Sequence, residues 1–453
     1  MDIENIQALI AQGKIVTLAD IDPSQSYVGI GVYQAGNRKR GSANNSYPTY
    51  VIPVSELGGT PPAPYVYITP NILYVDNVQG NDATAQIGYP NKPYQTLDAA
   101  TIAASAGDLV LARRGTYNVS VSFKPGVNYD LGVSTVSIGY MVNNDWGSGY
   151  FNVYGNADFL VYGGLVNSCI NSTVYIECNS VMYWAEPVGG IITNSEITIK
   201  VTEQMQGMAQ YAFLSYLDGS STNVIVNFTA DRYNFPRGVI SWFNGNNPIT
   251  FNLYGREMTH TGPDGFASLA WPLGDGMTMN FYVEHIIINA VGANAFFPWY
   301  GKLNVYSKIT CNTDTSWIMA DGGESTFFGD IEAPLGLLYV RGTGGKVNLR
   351  QANYNSGRNG YAALVNGKLT IQNGTVKNMY AALGAPAIIQ VNNAAASLIL
   401  TNTKIIGDAG RSPITDVTAG SALVQAYGSN YSVGVPVGIT PVPETITQFA
   451  ALQ

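Results

Sequence analysis

Short apolar strands recur along this chain roughly every 25 residues, and no other feature limits its fold so tightly. From Phe151 onward they start near Val174, Ile197, Val224, Ile249, Met279, Leu303, Phe327, Val347, Leu369 and Leu398. Apolar residues stand at alternate positions in each: Val174/Ile176/Cys178, Ile197/Ile199/Val201, Val224/Val226/Phe228, Ile249/Phe251/Leu253 and Met279/Phe281/Val283. Alternation sends one side of a strand inward and the other outward. No helical pattern separates the repeats, which points to a solenoid rather than a globular α/β domain. The expected fold is all-β: a right-handed, single-stranded parallel β-helix with about one coil per repeat.

Aligned on the first inward residue, the coils place Tyr175, Thr198, Ile225, Thr250, Asn280, Asn304, Asn348 and Thr370 in one outward column. Neighbours in such a column lie about 4.8 Å apart. Asn and Thr suit it, because each side chain can hydrogen-bond to the coil above and the coil below. Later coils lose the third inward apolar residue (Ser307, Gln351, Asn373), which predicts a narrower strand or an earlier turn there.

Charged residues make up only 11% of the chain, against about 25% in an ordinary globular domain. Polarity comes instead from Asn, Thr, Ser, 50 Gly and 30 Tyr. This composition suits stacked strands joined by tight turns, and it avoids columns of like charge. It also suits carbohydrate contact, since Tyr and Trp offer flat faces and Asn offers paired donors and acceptors. Extracellular solenoids share it whatever they bind.

The net charge of −8 leaves no electrostatic footprint for nucleic acid. The one basic cluster, Arg38-Lys39-Arg40, is flanked by Gly36-Asn37 and Gly41-Ser42 and reads as a solvated turn. Cys169, Cys178 and Cys311 have neither metal-ligand spacing nor a disulfide framework, and Cys178 falls on an inward position. No metal site and no cofactor is expected from the residues themselves. No apolar stretch approaches the ~20 residues of a membrane span. Met1-Asp2-Ile3-Glu4 shows neither a basic nor an apolar leader region. A chain suited to exterior conditions but without an export leader fits assembly in a host cytoplasm and release on a virion surface. An extracellular location is the alternative for a non-viral protein.

Residues 1–70 differ from the rest and read as an attachment or assembly module. Asp2 is placed to cap a helix through Ala11, and Tyr47 to Val54 is the clearest strand, followed by a Gly/Pro-rich loop from Gly58 to Pro64. A plain cap on the rod is the simpler alternative. Residues 71–118 read as the cap and first coil, 119–407 as the β-helix, and 408–453 as a terminal cover or oligomerisation segment. Within the cap, a strand at Tyr74-Val75-Asp76 leads to a turn at Gly80-Asn81-Asp82. An amphipathic helix follows from about Thr96 to Ala106, then a buried strand at Leu109-Val110-Leu111. A solenoid's first coil exposes apolar ends, and a helix carrying Leu97, Ala100 and Ile102 would cover them.

The order Val75-Asp76, Gly80-Asn81-Asp82, Pro93, Thr96-Leu97, Ala99-Ala100, Gly107-Asp108, Gly115-Thr116-Tyr117 resembles the N-terminal cap and first coil of pectate-lyase-like right-handed β-helix proteins. That superfamily includes polysaccharide lyases, glycoside hydrolases and bacteriophage tailspikes. The resemblance implies the fold strongly and the function weakly, because these residues build a cap and not an active site. With the short N-terminal module and the Gly/Pro/Val-rich end from Gly434 to Pro443, it points to a tailspike or virion receptor-binding fibre. Such spikes are homotrimers, so the resemblance implies a homotrimer gripped by other virion proteins through its N-terminal module. Lyases of the superfamily use a Lys or Arg base with Ca²⁺ held by carboxylates, and hydrolytic members use paired Asp or Glu. No catalytic motif of either matches this chain residue by residue.

The densest titratable cluster lies in the middle coils: Asp231-Arg232, Arg256-Glu257, His260, Asp264 and Glu284-His285. Asp231, Glu257 and Glu284 are the candidate catalytic carboxylates, because two carboxyls about 5–9 Å apart support glycoside hydrolysis. Outward turn residues making salt links would look the same. A second patch, Asp314, Trp317, Asp321, Glu324, Asp330 and Glu332, matches no EF-hand spacing and reads as a turn region. The candidate ligand-binding residues are Trp184, Trp242, Trp299, Tyr300 and His260, on the expectation that aromatic side chains between strands stack on sugar rings. They would contact a host cell-surface polysaccharide or other glycan. Packing against a neighbouring subunit explains the same aromatics equally well.

Overall fold

The computed structural model describes residues 71–431 except 209–214, 236–240, 244–245, 262–273, 290–293, 297–299, 313–316, 321, 334–336, 357–360, 379–386, 408–410 and 419–421, together with five short strands outside that span. Nearly every described segment is a parallel strand of one right-handed solenoid, as expected from the repeat. Three strand faces surround a core that runs the length of the coils. On the first face, Phe151, Val174, Ile197, Val226, Phe251, Met279 and Leu303 are successive partners, and each is fully buried or nearly so. Burying one such side chain stabilises the fold by about 1.5–3 kcal/mol.

The stacking corrects the sequence alignment. Ile197 pairs with Val226, not Val224, and Phe251, not Ile249, lies below Met279. A two-residue slip leaves every apolar side chain on the same face, so hydrophobic alternation is blind to it. The true outward column is Asn128, Asn152, Tyr175, Thr198, Asn227, Asn252, Asn280, Asn304, Thr326, Asn348 and Thr370. Ile225 and Thr250 belong to the neighbouring column beside Glu196 and Thr278. The correct register is richer in amides than the expected one. Asn252 donates to Asn227 (2.8 Å), Asn280 to Asn252 (2.8 Å) and Asn304 to Asn280 (2.9 Å), giving one continuous ladder of side-chain bonds.

In the middle coils the first and second faces share long strands, such as Thr222–Phe235, Ile249–His260 and Met277–Ile288. Two successive outward residues mark the corner inside each strand. In later coils the corner passes through a residue in the left-handed region, at Gln351, Asn373 and Asn402, where φ is 53°, 53° and 47°. This is the earlier turn expected from the loss of apolar residues at Gln351 and Asn373. Asn tolerates that conformation better than other residues with a Cβ. The opposite corner uses the same device at Asn171, Asn194 and Asn223, whose amides bond in series at 3.1 Å.

The cap forms around one short helix, Leu97–Ala103, rather than one reaching Ala106. Thr96 caps it by accepting from Ala99 N at 3.1 Å, and Asp82 accepts from Gln95 N, Thr96 N and Thr96 Oγ1. Leu97, Ala100 and Thr101 face the core, whereas Ile102 is 58% exposed. The helical stripe from Leu97 runs through 100 and 101, and a residue five places on falls off it. Gly80 is required here, since a Cβ would lie 2.2 Å from the carbonyl oxygen of Tyr94.

Parallel pairing does not stop at Gly407. Strands Ser412–Asp416, Leu423–Tyr427 and Asn430–Tyr431 continue the three faces, and Ala450–Ala451 pairs onto the last of them. Within residues 1–70, Val16–Thr17, Tyr50–Pro53, Tyr27–Ile30 and Tyr67–Ile68 form an antiparallel sheet in that order, distinct from the parallel coils. The expected helix through Ala11 and the loop from Gly58 to Pro64 lie outside the described residues.

Asn252 both donates and accepts within the ladder, so Asn252→Ala should lose about 1–2 kcal/mol of stability. Asn152→Ala, which removes a single bond to Asn128, should cost about half as much. Guanidinium unfolding monitored by circular dichroism checks both.

Candidate functional site

The middle-coil corner gathers the candidate carboxylates into two adjacent columns. Arg232, Glu257, His285 and Lys308 are direct strand partners, and Asp231, Arg256 and Glu284 stand one residue before the first three. Opposite charges are neighbours in both columns: Asp231, Arg256 and Glu284 in one, Arg232 and Glu257 in the other, where His285 separates Glu257 from Lys308. Arg256 grips Asp231 with both prongs of its guanidinium, Nε to Oδ1 and Nη2 to Oδ2, each at 3.0 Å. Arg232 approaches the same carboxylate at 3.7 Å. Both partners are substantially exposed, so the pair contributes at most about 1 kcal/mol.

Asp231 and Glu257 are therefore one coil apart but diagonal: the residue level with Asp231 is Arg256, and the residue level with Glu257 is Arg232. The hydrogen bond from Arg256 holds the Asp231 carboxyl below its usual range. An ionised Asp231 can act as a base, a nucleophile or a countercharge, and it is unsuited to donate a proton. Among the described residues, neither Glu257 nor Glu284 reaches salt-bridge distance of a cation. His285 Nε2 lies 2.8 Å from Thr310 Oγ1.

The second acidic patch is divided between structural tasks. Glu324 accepts from Asn348, Asp330 from Asn353, and Glu332 from Asn355, each at 2.8–2.9 Å. Asp314 and Asp321 lie outside the described residues. Among the described residues no group of three His, Cys, Asp or Glu could hold a metal ion.

Aromatic side chains form the largest outward feature. Tyr254, Tyr282, Tyr306 and Phe328 stack on consecutive coils at centroid distances of 5.0, 4.9 and 4.4 Å, with planes within 11° of parallel. Each interior ring has both faces covered by its neighbours and presents only its edge and hydroxyl to solvent. Such a stack holds the coils in register, and its interior rings Tyr282 and Tyr306 offer no free face to a sugar. Partial burial, and then the adjacent phenols of Tyr306 and Tyr254, raise the Tyr282 hydroxyl above its ordinary range. The sequence analysis missed this row. Its signature is Asn-apolar-Tyr at 252–254, 280–282 and 304–306, which aligns the amide ladder and the phenol row together.

Of the expected ligand-binding residues, Trp184 is 37% exposed and stacks on Tyr162 at 4.7 Å and 11°. Tyr300 is exposed. Trp242 stands in strand Ser241–Phe243, level with Tyr216. Its side chain, like the whole of Trp299, lies outside the described residues. His260 differs from expectation: it ends its strand pointing into the core, between Phe235 and Ile288, and is fully buried. Among the described residues neither ring nitrogen has a hydrogen-bond partner. The alternation Met258, His260 carries it inward, so it does not share a surface with Asp231 and Glu257.

The fold defines a parallel β-helix with exposed aromatic rows and one charged corner. Comparison with known proteins finds no matching family model, no similar curated protein and no similar solved structure.

Burial lowers the His260 imidazole to about 4, from an ordinary value of about 6.5. Between those limits the unfolded chain takes up a proton that the folded chain refuses. The full contribution to stability is present above pH ~6.5 and falls as pH drops through that window, by up to about 1.4 kcal/mol per unit. Replacing the group, as in His260→Leu, should flatten this part of the stability–pH curve relative to the parent, as read from unfolding midpoints at pH 7, 5.5 and 4.5.

Proposed function

We propose that this chain is a virion-attached, receptor-binding spike: a homotrimeric β-helix rod, fixed through its N-terminal sheet to other virion proteins, that contacts host cell-surface glycan. The observation that carries this reading is the set of exposed aromatic side chains outside the four-ring row, Tyr150, Tyr162, Trp184 and Tyr300 among them, on a rod of low charge. Such rings offer apolar faces and polar edges, the combination that recognises a sugar. The antiparallel architecture of residues 1–70 supports a separate attachment role, because it cannot extend the parallel coils.

A second reading is favoured by the corner carrying Asp231, Glu257 and Glu284 on three successive coils. In a polysaccharide depolymerase, ionised Asp231 would serve as base or nucleophile and Glu257 or Glu284 as proton donor. Ca²⁺ enters only if the chemistry is that of a lyase. Without a ligand on the rod, the protein would be a purely structural fibre.

Light scattering on the purified protein decides the assembly: a particle of three 48.4 kDa chains is expected, and a monomer would reject the spike. If the depolymerase reading holds, Glu257→Gln should reduce release of reducing ends from host polysaccharide at least 100-fold. Unchanged release would remove Glu257 from the chemistry.

A further inference from the structure

The corner after the second face carries a ring stack with one rung missing. Tyr162 and Trp184 occupy the same outward position on consecutive coils and stack face to face. The coil before Tyr162 has Gly139 at that place, since Ile138 pairs with Val161 and Tyr140 with Gly164. The register shifts between those pairs, so Tyr162 and Gly163 bulge opposite the single residue Gly139. Bulges of this kind re-aim a side chain, and here the bulged residue is the 56% exposed Tyr162.

The two glycines have different causes. Gly163 is forced, because a Cβ there would lie 2.2 Å from the carbonyl oxygen of Gly139. Gly139 is not forced: its φ is outside the left-handed region, and a Cβ would meet nothing within 4 Å. A Cβ has room there, yet none is present. The consequence is that Tyr162 has one face covered by Trp184 and the other open above a bare backbone. Tyr140, 44% exposed, borders the gap, with its ring 3.0 Å from where a Gly163 Cβ would stand. One coil further toward the cap, Ser120 follows Val119, the partner of Ile138, and both its N–H and its hydroxyl bond to Asp98.

The geometry points to a single-pyranose subsite: a hexose ring lies in the gap over Gly139, its C–H face on Tyr162 and its hydroxyls toward Ser120 and Asp98. Two coil spacings, about 9.6 Å, separate the Ser120 and Tyr162 levels, which is room for one ring stacked on another. The ligand class is a neutral hexopyranoside with an uninterrupted C–H face, because the charged group bonded to Ser120 is the carboxylate of Asp98, which disfavours an anionic sugar. This subsite rests on the glycan-binding reading and names where that binding occurs.

Saturation-transfer difference NMR tests it with methyl β-D-galactopyranoside, methyl β-D-glucopyranoside and tetra-N-acetylchitotetraose as probes. At least one should receive saturation, strongest at the ring C–H protons of one face. Gly139→Phe fills the gap with a ring and should reduce the transfer at least tenfold, as should Tyr162→Ala. Tyr162→Phe keeps the face and should stay within twofold. An unchanged guanidinium midpoint for Gly139→Phe shows that its coils remain folded, and Tyr162→Ala serves as the second variant if they do not. Transfer that survives both Gly139→Phe and Tyr162→Ala would overturn the subsite and leave glycan binding elsewhere on the rod intact. Absence of transfer to all three probes in the unaltered protein would overturn both.

Discussion

Everything in this molecule follows from one spacing: parallel coils hydrogen-bonded along their backbones hold equivalent residues about 4.8 Å apart. At that distance a side chain has its nearest contacts one coil up and one coil down, not along the strand. Asn227, Asn252, Asn280 and Asn304 bond in series because their backbones are already in line. The rings of Tyr254, Tyr282, Tyr306 and Phe328 stack for the same reason, since an aromatic ring is slightly thinner than the coil spacing.

The spacing also penalises charge. Like charges in one column would sit at contact distance over many coils, and directly opposed like charges destabilise a sheet. The chain answers by carrying few charges and, at the middle corner, by setting opposite charges side by side: Asp231, Arg256, Glu284 in one column and Arg232, Glu257 in the other. The corner is thus electrically matched while remaining accessible. Ionic order and chemical capacity coincide there, because among the described residues Glu257 and Glu284 stay outside ion-pair distance of a cation while Asp231 is clamped.

Exposed aromatic residues divide into two kinds once the stacking is known. Inside the four-ring row, both faces of Tyr282 and Tyr306 are covered by neighbours and the gain is structural. At Tyr162 and Trp184 the stack ends against Gly139, and an apolar face stays open. Identity and exposure alone would not separate Tyr282 from Tyr162, since both are surface tyrosines in strands or bulges. What distinguishes them is the residue on the coil below.

The sequence by itself determined the fold class, the coil repeat and the inward apolar residues of the strands, because each depends on local alternation and turn chemistry. It also gave the narrowing at Gln351 and Asn373, where the apolar run simply ends. Tertiary structure decided the register between coils, and with it every outward contact. A shift of two residues preserves the buried face, so nothing in the alternation distinguishes Val224 from Val226 as the partner of Ile197. Coil length and corner geometry settle that choice. They placed Asp231 beside Arg256 rather than Glu257 and left Gly139 beneath Tyr162.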